Sequence, residues 1–211
     1  MTVLACARYS PKGLIIGADR LVLKGGQKLN SRKLIVKNNF IIGLMGNLIS
    51  NSLLLEKNKF WNDLETMLDE NQDYDDLKLS LSQHLSCFNQ GQRVIRNEIA
   101  NFYKTINLDE PNYFHASFLL GIKFKGSLSS YYDLGLEEGI VDSRSPIVGN
   151  TSNGEFDIDS ETRIFDKMSA EKYVLNKIRI ANKKYPEYCS GVEIVDFNLD
   201  ETKCLYLENI S

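Results

Sequence analysis

Short apolar runs separated by turn-forming residues fill the first 46 residues, and this pattern restricts the fold more than any other part of the sequence. Runs of this length bounded by Gly, Pro and Asn are typical of strands that are buried on at least one face. The runs cover residues 2–7, 14–18, 34–36 and 40–44. A polar, glycine-bearing stretch over residues 24–31 leads into the third run. The sequence therefore predicts that the chain begins with four strands.

Four residues that could take part in catalysis lie at the ends of these runs: Thr2, Asp19, Lys33 and Gly46. A threonine hydroxyl is a poor nucleophile unless a base takes its proton, and the α-amine of an N-terminal threonine is the nearest base. That amine has an ordinary pKa of about 7.7–8.0. A nearby lysine would lower the pKa of the amine, and an aspartate could orient the lysine. A backbone N–H at the glycine could stabilise an oxyanion.

Each of these residues also has an ordinary structural interpretation. Thr2 alone is a first strand residue, Asp19 and Gly46 are turn residues, and Lys33 is a solvated surface charge. Only the ordered set indicates a catalytic site. The chain has two histidines, which lie in apolar periodic segments (His84 and His115). The sequence therefore offers no well-placed histidine for a site of the Ser-His-Asp or Cys-His type, and we expect no metal site.

The ordered set resembles the N-terminal half of a proteasome β-type subunit and of the bacterial proteasome-like peptidases. The resemblance extends more weakly to residues 189–192, which precede a final strand pair. It implies an α+β fold of the N-terminal nucleophile hydrolases, a four-layer αββα sandwich of two antiparallel sheets with helices on both outer sides. In that family a processed N-terminal threonine is the nucleophile, which implies that Met1 is removed from Thr2.

The sequence departs from the family pattern at two supporting positions. Asn150 stands where the family carries the serine of a Gly-Ser-Gly-type loop, and an amide can still donate and accept hydrogen bonds. Glu187 stands where an aspartate is usual, before a Ser190-Gly191 pair that matches the family. The longer glutamate side chain would have to fold back to reach the same partner. Asn150, Glu187 and Ser190 are therefore predicted as supporting residues.

The remainder of the chain alternates between helical and extended patterns over a single predicted domain, residues 1–211. Apolar residues recur at helical spacing over residues 48–68 and 76–106. Strands are predicted at 113–123, 128–134 and 140–149, and a polar loop at 154–165. Ser169 is predicted as the N-cap of a helix that Pro186 ends, and strands at 192–197 and 203–210 close the chain.

Composition excludes several function classes. The formal net charge of the 211-residue chain is −3, which argues against a nucleic-acid-binding surface. The longest apolar runs are too short to span a membrane, and no signal peptide precedes Thr2. The four scattered cysteines (Cys6, Cys87, Cys189 and Cys204) form no CxxC pair and indicate free thiols, so we expect a cytoplasmic protein. No phosphate-binding loop is present, and no cofactor is expected.

These observations lead to one functional hypothesis and two alternatives. The hypothesis is a threonine-type peptide hydrolase that acts on peptides or unfolded proteins. Its partners would be copies of itself in a ring or stacked rings, with room for a separate ATPase or unfoldase. The first alternative is a non-catalytic ring subunit of the same fold. The second is an N-terminal nucleophile amidase on a small molecule, which would have a closed pocket at Thr2 rather than an open groove.

Overall fold

The computed structural model describes residues 2–10, 13–24, 26–46, 60–70, 73, 76, 104–105, 116–133, 141–142, 147–150, 155–158 and 165–209. The chain divides into two compact units. The first comprises Met1–Met45, Phe118–Tyr132 and Asp142–Ser211, and the second comprises Gly46–Ser117 and Asp133–Val141. Thr2, Asp19 and Lys33 all belong to the first unit.

A six-stranded antiparallel sheet lies in the first unit. Its strands, from edge to edge, are β11 (Glu155–Ile158), β10 (Ile147–Asn150), β1 (Val3–Tyr9), β2 (Gly13–Ala18), β12 (Val192–Asn198) and β13 (Thr202–Glu208). The two central strands, β1 and β2, are buried almost throughout, which explains why their sequences are apolar on both faces. Leu4 pairs with Ala18, so the start of β1 lies beside the end of β2.

Helix α2 (Lys167–Lys184) packs on one face of this sheet. The helix contributes Ala170, Val174 and Ile178 to a buried cluster with side chains of β1, β2 and β12. Gly17 permits the close approach, since a Cβ at this position would lie 2.6 Å from Ile178 Cδ1 and 2.7 Å from Val174 Cγ1. The apolar spacing of the helix thus determines which face it buries.

The start of α2 differs from the predicted one. The Asp166 carboxylate accepts hydrogen bonds from the backbone N–H of Ser169 at 2.9 Å and from its hydroxyl at 2.7 Å. Asp166 is therefore the N-cap, and the prediction of Ser169 was wrong by three residues, because aspartate competes effectively for the same cap. The helix ends at Lys184, one residue before its C-cap Tyr185, as the helix-breaking Pro186 requires.

A five-stranded sheet packs against the opposite face of the six-stranded sheet. Its strands, in spatial order, are β5 (Leu34–Val36), β6 (Phe40–Gly46), β7 (Ala116–Phe124), β8 (Ser127–Asp133) and β9 (Val141–Asp142). A Cβ at Gly43 of β6 would lie 2.8 Å from Leu4 of β1, and one at Gly121 of β7 would lie 2.7 Å from Leu14 of β2. These glycines admit leucines of the facing sheet, so the first unit contains helix, sheet and sheet in successive layers.

The first 46 residues contain more strands than the pattern predicted. The polar stretch expected over residues 24–31 includes part of a hairpin, β3 (Leu21–Lys24) and β4 (Gln27–Asn30), whose second strand is exposed. Its turn includes Gly26 with a positive φ of 79°, which glycine adopts readily. The prediction missed this hairpin because an exposed strand such as β4 needs no alternation of apolar residues.

Two further assignments in the second half are corrected. Residues 140–149 were predicted as one strand, but β9 and β10 lie in this stretch and belong to different sheets. The polar loop predicted over residues 154–165 includes β11, which pairs with β10 at the sheet edge. An edge strand hydrogen-bonds to only one neighbour and tolerates polar residues, so its sequence carries a weak strand signal.

The second unit contains helix α1 (Phe60–Glu70), which overlaps the end of the helix predicted over residues 48–68. Leu64 and Leu68 of α1 are buried, as expected for its apolar stripe. Most of the helix predicted over residues 76–106 lies outside the described residues. Antiparallel sheets and helices therefore establish a mixed α+β fold, and the second helical layer of the sandwich stays a prediction.

No helix in the described part of the chain is long and apolar enough to cross a membrane.

Candidate active site

The antiparallel pairing of β1 and β2 places Asp19 beside the beginning of the chain. The Val3 backbone N–H donates to Asp19 Oδ1 at 2.7 Å, and the Asp19 N–H donates to the Val3 carbonyl at 3.2 Å. Because the Val3 nitrogen belongs to the peptide that carries the Thr2 carbonyl, Asp19 is bound one peptide unit from the predicted nucleophile. The side chain of Asp19 is fully buried.

Lys33 reaches the same carboxylate from the segment between β4 and β5. Its ammonium Nζ donates to Asp19 Oδ2 at 2.7 Å, and only 5% of the Lys33 side chain is exposed. The Leu21 N–H also donates to Oδ2, at 3.2 Å. Burial raises the pKa of Asp19, while the Lys33 ammonium opposes that rise. The two charges thus compensate each other in a buried site.

Thr2 immediately precedes β1 and is buried, with 7% of its surface exposed. The structure thus assembles three of the predicted residues, since Asp19 links the first residues of the chain to Lys33. The role of this group in catalysis stays a prediction.

The Ser190 turn lies against the residue that follows Asp19. The Arg20 N–H donates to the Ser190 carbonyl at 2.9 Å, which joins this turn to the end of β2. Gly191 has a positive φ of 68° and follows directly, so the turn depends on glycine there. The Asn182 side-chain amide of α2 donates to the Gly191 carbonyl at 2.9 Å. Helix α2 therefore helps to hold Ser190 near the candidate site.

Cys189 is a buried neighbour of the charged pair. It is fully buried, as expected for a small apolar residue, and the described cysteines form no disulfide. Burial, followed by the negative charge of Asp19, raises the pKa of the Cys189 thiol to about 12. Cys189 is therefore a neutral thiol at physiological pH and not a second nucleophile.

The raised pKa of Cys189 predicts a stability loss in alkali. A thiol in the unfolded chain has a pKa of about 8.5, so the stability contributed by burying neutral Cys189 is complete below about pH 8.5. It is then lost as the pH rises toward the folded value of about 12. We expect this group to lower the free energy of unfolding by up to about 1.4 kcal/mol per pH unit. Urea denaturation between pH 8 and 10 measures the slope.

The matched controls for this prediction are two alanine variants. Cys189→Ala should flatten the slope, whereas Cys204→Ala should not, because Cys204 is exposed. Burial also raises the pKa of Tyr9, whose ordinary value is 10.0, so its contribution begins at higher pH. An unchanged slope in Cys189→Ala would show that this thiol ionises freely in the folded protein.

Three further predicted site residues lie on other elements. Asn150 is the last residue of β10 and pairs in register with Val3, one residue from Thr2. Gly46 is the last residue of β6. Glu187 is exposed in the turn that follows α2. The assigned roles of Gly46 as oxyanion donor and of Asn150 and Glu187 as supporting residues stay predictions.

The structure also contains an ion pair that the sequence analysis missed. Arg32 donates through Nε to Glu193 Oε1 at 2.6 Å, and the Glu193 side chain is fully buried. A signal was available in β12, where Glu193 and Asp196 interrupt an apolar run, because a buried strand accepts a carboxylate only when it is paired.

Among the described residues, no group of three His, Cys, Asp or Glu side chains could bind a metal ion. Both histidines, His84 and His115, lie outside those residues.

Comparison with known proteins gives similarity in structure and none in sequence. No protein-family model and no curated protein matches the chain. Among the similar solved structures are two that match all of this chain and 87% of their own length. One is an Anbu (Gly-1) mutant from Hyphomicrobium sp. strain MC1, with 12% sequence identity and a TM-score of 0.67. The other is Anbu (ancestral beta-subunit) from Yersinia bercovieri, with 14% sequence identity and a TM-score of 0.64. At such identities the likeness shows the fold alone, and this chain therefore has a proteasome-like fold at a coarse level.

Proposed function

We propose that the protein is a subunit of a proteasome-like assembly that hydrolyses peptide bonds through Thr2 after Met1 has been removed. The observation that carries the proposal is the buried group at the beginning of β1. There Asp19 accepts hydrogen bonds from the Val3 N–H and from the Lys33 ammonium, each at 2.7 Å. The similarity of the fold to Anbu, described as an ancestral beta-subunit, supports the same conclusion.

Each residue has a distinct role in the proposed reaction. The Thr2 hydroxyl attacks the peptide carbonyl, and the Thr2 α-amine accepts the hydroxyl proton and transfers it to the leaving amine. Lys33 lowers the pKa of this amine by like-charge repulsion, and Asp19 holds the lysine in place. The Gly46 N–H stabilises the oxyanion, a contribution that typically amounts to about 10²–10³ in turnover. Water then releases the acyl group from Thr2.

The test combines the intact mass of the protein with assays of peptide hydrolysis and of reaction with an inhibitor. The intact mass of natively expressed protein shows whether Met1 has been removed, and short fluorogenic peptide amides report hydrolysis. A peptide aldehyde should add to the processed protein at Thr2, which peptide mapping can locate. Processed protein that neither cleaves the amides nor reacts with the aldehyde would contradict the proposal.

A non-catalytic ring subunit is the second candidate, and one observation favours it. Glu187 occupies the position of the aspartate expected from the resemblance, yet its side chain is exposed. An exposed carboxylate is screened by water and influences a buried site weakly. Retention of Met1 in an assembled native protein would support this alternative, because the α-amine would then lie one residue away from the Thr2 hydroxyl.

A further inference from the structure

A second ion pair lies beside the Asp19–Lys33 pair and joins the same two parts of the chain. Arg32 directly precedes Lys33, and Glu193 pairs in register with Ala18, which directly precedes Asp19. The Arg32 guanidinium donates from Nε and contacts from Nη2 the same Glu193 oxygen, Oε1, at 2.6 and 2.5 Å. The two ion pairs therefore connect neighbouring positions of the two segments.

The environment of Glu193 is unusual for a purely structural contact. Its side chain is fully buried, whereas 56% of the Arg32 side chain is exposed. Glu193 Oε2 has no hydrogen-bond partner among the described residues. A buried carboxylate costs stability unless it is well paired, and an apolar residue would often serve as well or better. Its presence therefore indicates a role other than stabilising the sheet.

We propose that the Arg32–Glu193 pair is a positioning device that holds Lys33 against Asp19 beside Thr2. The segment from Ser31 to Lys33 has no strand of its own, so its attachment depends on side chains and on the bond from the Ser31 N–H to the Arg20 carbonyl. Anchoring Arg32 restricts the backbone from which the long Lys33 side chain extends. Arg32 and Glu193 thus act through Lys33 and do not touch the substrate. The catalytic part of this inference depends on the proposed function.

The first test compares Arg32→Gln and Glu193→Gln with wild type in the processed, assembled protein. We expect kcat/KM for fluorogenic peptide amides to fall about 10- to 100-fold, mainly through kcat, because the misplaced group is needed for the chemical step. We also expect the acid limb of the pH profile to move up toward about 7.7–8.0, the ordinary pKa of an α-amine, as Lys33 moves away. The charged or titratable groups described around this end of β1 are Asp19, Arg20, Arg32, Lys33, Cys189 and Glu193.

Matched variants separate positioning from folding. Arg32→Lys keeps a charge that can reach Glu193 and should recover most of kcat. Arg179→Gln removes a half-exposed pair with Glu208 and should behave as wild type. The double variant Arg32→Leu/Glu193→Leu leaves no unpaired buried charge and should fold yet remain slow. Wild-type kcat and pH profile in this folded double variant would overturn the proposal, and so would its failure to fold.

A readout that needs no activity distinguishes this inference from the proposed function. Acetylation by an N-hydroxysuccinimide ester, followed by peptide mass spectrometry, should modify Lys33 slowly in wild type because the side chain is buried. The rate at Lys33 should rise in Arg32→Gln and in the double variant, while that at exposed Lys37 stays constant. Faster labelling in an inactive protein would retain the positioning role without the proposed hydrolysis. Unchanged labelling would refute the positioning role, whether or not wild type is active.

Discussion

Replacement of Thr2 with alanine should lower peptide hydrolysis by at least about 10³-fold, since removing a nucleophile removes the whole covalent pathway. The variant should assemble like wild type, because alanine fits the space of the buried threonine and no strand is disturbed. The measurement is kcat/KM on fluorogenic peptide amides, together with the size of the assembly by light scattering. The processed N-terminus must be verified by intact mass in each sample.

Two variants serve as controls for this result. Thr2→Ser keeps a hydroxyl on the terminal residue and should retain measurable turnover. Thr202→Ala removes another threonine hydroxyl, one that accepts a hydrogen bond from Lys123 at 2.9 Å far along the sequence, and should leave hydrolysis unchanged. Equal activity of Thr2→Ala and wild type would show that another group attacks the substrate.

Replacement of Lys33 with methionine should destabilise the protein by about 3–5 kcal/mol at neutral pH, because it leaves Asp19 buried without its countercharge. Burial raises the pKa of Asp19, and Lys33 no longer opposes that rise in the variant. In the variant, the stability contributed by keeping Asp19 protonated is complete below the unfolded aspartate pKa of about 3.9. This contribution is lost as the pH rises through the pKa of Asp19 in the folded protein. The difference in stability between wild type and variant should therefore grow from pH 4 to pH 7 in urea denaturation.

The double variant Lys33→Met/Asp19→Asn is the control for that pH dependence. An amide cannot ionise, so the pH-dependent part of the loss should disappear, whereas any loss due to packing should remain. Lys37→Met, at an exposed position, should have little effect on stability. A pH-independent difference for Lys33→Met alone would show that Asp19 is not the group that responds to the missing charge.

The sequence predicted those elements whose burial follows a regular pattern. β1 and β2 are apolar on both faces because helix α2 covers one side of their sheet and a second sheet covers the other. A continuous apolar run bounded by turn residues is the direct consequence of this double burial. The resemblance to proteasome β-type subunits rests on residues at the ends of these apolar runs, and the fold supports it at a coarse level.

Elements without a regular apolar pattern were missed. β4 is exposed and β11 is an edge strand, so neither has to carry the apolar alternation that marks a buried strand. The N-cap of α2 was assigned three residues too late because Asp166 and Ser169 are both good caps and only geometry decides between them. Local propensity leaves such choices open.

The sequence by itself determined helix α2, the apolar strands β1, β2, β5 and β6, and the residue types available at the beginning of the chain: Thr2, Asp19 and Lys33. Only the tertiary structure decided that one buried carboxylate binds both the Val3 N–H and the Lys33 ammonium, and that Arg32 pairs with the distant Glu193. The physical reason is the separation along the chain. Antiparallel pairing of β1 with β2, and of β2 with β12, brings these positions together, and a strand's own sequence does not specify its partner.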